Sequence, residues 1–119
     1  TSAPHTVGAG QTISFGIALM NEHGFRHLPV LQGGKLVGIV SDRDLGLIAG
    51  LNEVNPDETP IEEAMTQVLY TASPDTLLSE VLDRMYEHKA GSVLVTEGQK
   101  VVGIFTTHDA VRLLAEGVR

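Results

Sequence analysis

GKLVGIVSDRD, residues 34–44, aligns without a gap on QKVVGIFTTHD, residues 99–109, and this match decides the fold. Lys35, Val37, Gly38, Ile39 and Asp44 recur as Lys100, Val102, Gly103, Ile104 and Asp109, an offset of 65. Working back from it, Ser14, Met20, Glu22, His23, Val30 and Gly33 recur as Ser79, Met85, Glu87, His88, Val95 and Gly98. An ungapped block of this length is a duplication, so the architecture is that of a repeat.

Both copies have the same local pattern. Ile13, Ile17 and Met20 in the first, and Leu78, Val81, Leu82 and Met85 in the second, fall at spacings that share one helical face. Two short runs rich in branched apolar residues follow, 28–31 and 36–40 in one copy, 93–96 and 101–105 in the other. Each pair is joined by a short Gly-bearing connection, the signature of a β-hairpin. Ser41 and Thr106 then stand where a helix N-cap belongs, ahead of the closing runs DLGLIAGL and DAVRLLAEG. The expected unit is helix, strand, strand, helix, which gives an α/β (α+β) chain of two motifs, residues 1–58 and 59–119.

Between the copies, NEVNPDET (residues 52–59) is polar and contains a proline, so it reads as a connector. Residues 60–65, PIEEAM, read as a short helix with Pro at its first turn and acids near its positive end. In the 65-residue register Thr66 falls on Thr1. The counterpart of that helix therefore lies ahead of Thr1, and a Met is expected immediately before it in the parent sequence.

Composition narrows the function. With 119 residues and 42% hydrophobic content, the chain can bury one core or two small ones. A net charge of −7, from 15 acidic and 8 basic residues, disfavours a phosphate backbone or an anionic membrane as partner. The absence of cysteine excludes disulfides, thiolate metal sites and cysteine nucleophiles. No run approaches the roughly 18 apolar residues of a membrane span, and the start lacks the pattern of a signal peptide. A soluble, cytoplasmic protein that binds neither nucleic acid nor membrane is the expectation.

Read together, Met20, Gly24, Pro29, Val30, residues 35–41, Arg43 and Asp44 resemble the CBS domain in order and spacing. The second copy resembles it through Met85, Val95, Lys100, Gly103, Ile104, Thr106 and Asp109, and departs from it at Leu94, where Pro is common. The resemblance covers nearly the whole chain, and the first copy is most similar to small bacterial two-CBS proteins, including the acetoin-utilisation type. It implies a Bateman module, two motifs packed about a pseudo-twofold axis with two clefts between them. It also implies a likely-sized homodimer built through the helices, and a regulatory adenine nucleotide as ligand. AMP is the first choice, with ADP, ATP or S-adenosylmethionine as alternatives, and no resident cofactor is required.

The motif has a physical logic for such a ligand. The hydroxyls of Ser41 and Thr106, with the amides of the following helical turn, suit a phosphate. Asp44 and Asp109 can each accept two hydrogen bonds from a ribose diol. Arg43 can fork onto phosphate oxygens, while His108, its counterpart, is the weaker cation, so the two clefts are expected to be unequal. By family position, His27 and Pro29 or Ser92 would line the adenine, with Thr6 or Thr71 across the cleft. Gly38 and Gly103 would let another group come close to the backbone. Ser-x-x-Asp and Thr-x-x-Asp equally resemble capping boxes, and both readings stand at this point.

Other chemistry finds no support. The five histidines show no His-x-x-x-His pair, and His23 and His88 recur at a helix end, where a cation suits the helix dipole. No phosphate-binding loop, nucleophile elbow or dinucleotide fingerprint is present. No catalytic residue and no metal ligand is expected. The alternative to a sensor is a ligand-free homodimerisation scaffold.

Overall fold

The start of each repeat shows how little sequence sets a helix. In the computed structural model, which describes residues 5–67, 70–98 and 100–117, α1 spans Ile13–His23. Thr12 caps it by accepting a hydrogen bond from the Phe15 amide. Gly24 closes it in the left-handed conformation (φ 71°), its N–H donating to the Met20 carbonyl. Ile13, Gly16 and Met20 form the buried face.

A hairpin follows, β2 (His27–Gln32) and β3 (Lys35–Ser41). Its turn is Gly33-Gly34, both at positive φ (59° and 79°), the geometry whose twist suits a two-residue hairpin. α2 (Asp42–Ala49) closes the repeat. The second repeat gives α3 (Leu78–His88), β6 (Ser92–Glu97), β7 (Lys100–Thr106) and α4 (Thr107–Gly117). The duplication reaches fine detail, since the hairpin register slips between Val30 and Leu31 in one copy and between Val95 and Thr96 in the other.

Three short strands add to the expected helix, strand, strand, helix. β1 (Val7–Gly8) precedes α1 and pairs parallel with β2, and β5 (Thr71–Ala72) pairs parallel with β6 in the same way. β4 (Thr66–Gln67) runs antiparallel on the free edge of β3, with Gly38 opposite Gln67. The result is one sheet in the order β1-β2-β3-β4 and another in the order β5-β6-β7.

The chain divides into two compact units, one holding the described residues from His5 to Gln67 and the other those from Tyr70 to Gly117. The break thus falls after Gln67 and not between residues 58 and 59, because the connector is part of the first unit. Ile61 is wholly buried there, in a core with Val7, Ala9, Ile13, Met20, Leu28, Val30, Val40 and Leu45. Residues 60–65 form only a 3-10 turn, Ile61–Glu63, with Pro60 as its cap. Both ends of this stretch are already committed, since Pro60 bridges to Thr12 and Thr66 pairs with Ile39, leaving too few residues for an α-helix. The second unit gathers Ala72, Val81, Met85 and Val93, with Phe105 packed against them.

Candidate functional site

Both Ser/Thr-x-x-Asp motifs sit where a strand hands over to a helix, and both are closed capping boxes. The Asp44 amide donates to Ser41 Oγ (3.0 Å), while the Ser41 amide donates back to Asp44 Oδ2 (3.2 Å). In the second copy the Asp109 amide donates to Thr106 Oγ1 (3.2 Å), and the Thr106 amide and hydroxyl both donate to Asp109 Oδ2 (2.8 and 3.1 Å). Two otherwise orphaned amides are satisfied in each box.

The free helical amides expected to seat a phosphate are largely occupied. At α2 the Asp42 amide donates to the Arg26 carbonyl (2.9 Å), and the Arg43 amide to Asp42 Oδ1 (2.8 Å). At α4 the Thr107 amide donates to the Gly91 carbonyl (3.0 Å), the repeat counterpart of Arg26. Any anion near α2 must therefore be held by side chains.

Around each box the fold assembles most of the anticipated residues. Across the first hairpin His27 lies opposite Ser41, and Pro29 opposite Ile39. Thr6 precedes β1, whose Val7 pairs with Val30, so Thr6 runs beside Pro29 at the same end of the sheet. In the second unit Ser92 lies opposite Thr106, and Thr71 pairs with Leu94. Arg43, His108 and Thr71 are exposed, whereas Thr6, His27, Ser41, Asp44, Ser92 and Thr106 are half-buried. Pro29 is below 2% exposed, so its ring belongs to the core and offers a ligand no surface.

The two boxes differ in a way that the motif does not display. Asp44 Oδ1 has no partner among the described residues. Asp109 is buried and pairs through Oδ1 with the Arg112 guanidinium at 3.6 Å. Arg112 was not anticipated, although its i,i+3 spacing from Asp109 is visible in the sequence. The inequality expected from Arg43 and His108 thus has a second source, in the carboxylates themselves.

Gly38 also has a different use from the one expected. A Cβ there would stand 2.7 Å from Met65 Sδ and 2.8 Å from the Thr66 carbonyl. The group that comes close is the chain's own β4 segment and not a ligand.

Both units carry one further repeated feature. His5 stacks on His23 with ring centroids 4.3 Å apart, Phe25 lying beside both, and their counterparts Tyr70 and His88 stack at the same 4.3 Å. These rings join the residue ahead of the first strand to the end of the first helix in each repeat. Among the described residues no three His, Asp or Glu side chains converge as a metal site. No helix of the described residues is long and apolar enough to cross a membrane.

The profile of the CBS domain matches residues 1–45 and 54–116, nearly the whole chain. The chain is a CBS-domain protein. Hypoxic response protein 1 of Mycobacterium tuberculosis is 32% identical over 114 residues, covering 92% of this chain and 78% of its own. The solved AcuB-type acetoin utilization protein of Vibrio cholerae superposes with a TM-score of 0.75 at 32% identity, over 99% of this chain and 87% of that one. A CBS domain pair solved in complex with 5'-methylthioadenosine and S-adenosyl-L-methionine gives a TM-score of 0.77 at 29% identity, over 98% and 92%. The tandem CBS arrangement is that of a regulatory, ligand-binding module.

Proposed function

We propose that this CBS pair is a sensor that binds an adenosine compound and catalyses no reaction, with AMP as first choice and ADP, ATP or S-adenosylmethionine as alternatives. The observation that carries the reading is the pairing of an open carboxylate oxygen, Asp44 Oδ1, with the exposed guanidinium of Arg43 beside the Ser41 cap. A ribose diol donates and a phosphate accepts, so an acceptor and a cation at this spacing suit the two ends of a ribose phosphate. The solved relative that holds methylthioadenosine and S-adenosylmethionine supports the adenosine class. The first motif is the stronger seat, because Arg112 occupies the corresponding oxygen of Asp109. The setting proposed for this sensor is a cytoplasmic homodimer.

The completed capping boxes favour a second reading, a ligand-free homodimerisation scaffold in which both motifs serve only to start helices. Titration calorimetry with AMP, ADP, ATP and S-adenosylmethionine, on protein stripped of nucleotide, separates the two. Saturable binding that Asp44→Ala weakens at least tenfold supports the sensor. No heat with any of the four supports the scaffold.

A further inference from the structure

The two repeats bury their helix faces unequally. In the first unit Ile13 is 0% exposed, and Ile17, Ile48 and Ala49 pack against the same core, all beneath the Ile61 turn. Their counterparts in the second unit are Leu78, Leu82, Leu113 and Leu114, larger or equal in apolar surface, yet 45%, 37%, 37% and 69% exposed. Apolar side chains are carried at all four positions, but a cover is present in only one unit.

Backbone hydrogen bonding shows the same asymmetry independently. At the start of α1 the Ile13 amide donates to the Thr59 carbonyl (2.9 Å), the Ser14 amide to the Pro56 carbonyl (3.0 Å), and Ser14 Oγ to Asp57 Oδ1 (2.6 Å). The connector thus caps α1 as it lays Ile61 against it. At the start of α3, Leu77 makes no side-chain cap, and no described acceptor meets the Leu78 or Ser79 amide.

The small-residue positions are exchanged and not lost. Gly16 admits Ile61 and Leu45 to 3.0 Å of where its Cβ would lie. Its counterpart is Val81, while the counterpart of Leu45 is the smaller Ala110. The side-chain volume changes helix, and the outer leucines still lack a partner.

We propose that the exposed face of α3 and α4 is a seat for a peptide segment of the chemistry of residues 56–65, PDETPIEEAM, joined directly ahead of Thr1. The 65-residue register puts the counterpart of Ile61 five residues ahead of Thr1 and that of Met65 immediately before it. A segment there brings one β-branched side chain to Leu78 and Leu82, carbonyls to the Leu78 and Ser79 amides, and a carboxylate to the Ser79 hydroxyl.

The test compares the chain with a form carrying a second copy of PDETPIEEAM ahead of Thr1, by hydrogen exchange and thermal melting. Expected are a roughly tenfold or greater slowing of exchange at the Leu78 and Ser79 amides and a melting point raised by about 5 °C. Both gains are expected to vanish when the added isoleucine is replaced by aspartate, or when Leu78→Asp is made in the extended chain. Unchanged exchange at these two amides overturns the proposal, as does equal slowing by the aspartate-bearing segment. It is overturned too if the unextended chain already protects them in a concentration-dependent way, which would make a second copy of the chain the occupant.

Discussion

Gly38 and Asp44 are single positions with different duties. At Gly38 the β4 segment lies so close that any side chain must displace Met65 or the Thr66 backbone. Gly38→Ala is expected to destabilise the first unit by about 1–3 kcal/mol, the usual cost of overpacking, measured as a lower urea midpoint with an unchanged slope. Asp44 joins a cap to an open oxygen, so Asp44→Ala should act on both. Loss of the cap costs about 1 kcal/mol, and in the sensor reading nucleotide affinity falls with it. Arg112→Ala makes the reverse prediction at the second motif, where freeing Asp109 Oδ1 should strengthen nucleotide binding in calorimetry. Weaker or unchanged binding there would mean that Arg112 is not what separates the two motifs.

Among the elements, the 3-10 turn Ile61–Glu63 does more than its length suggests. It closes the core over α1 and α2 and belongs to the first repeat, although in sequence it introduces the second. Ile61→Ala should cost about 2–5 kcal/mol, as expected for a truncated and fully buried aliphatic side chain. The loss should show in chemical unfolding, whereas the exposed Leu114→Ala should change little. The helices, hairpins and caps were legible because each has a local signature: a 3.6-residue apolar period, a Gly-bearing turn, a hydroxyl ahead of an acid. β1, β4 and β5 were not, since two residues carry no period. Their strand geometry comes from the neighbour they pair with, which lies far along the chain.

For the whole molecule, ligand binding is a stability measurement. A compound at 100 times its dissociation constant adds about 2.7 kcal/mol, several degrees of melting temperature in a chain of this size. A selective rise with one adenosine compound is the expected result of a thermal-shift series that includes a phosphate control. A rise with phosphate alone would make Arg43 a general anion site and remove the case for the adenosine moiety.

The sequence by itself determined the duplication, the order of helix and hairpin in each copy, both helix caps and the CBS family, because these depend on residues close together along the chain. Only the tertiary structure decided which groups in the motif remain available. That Arg26 and Gly91 carbonyls consume helical amides, that Pro29 is core, that Gly38 makes room for β4, and that Ile61 covers one helix pair while α3 and α4 stay bare are outcomes of segments meeting across long separations. Burial and hydrogen-bond saturation depend on all neighbours at once, and a linear pattern does not specify them.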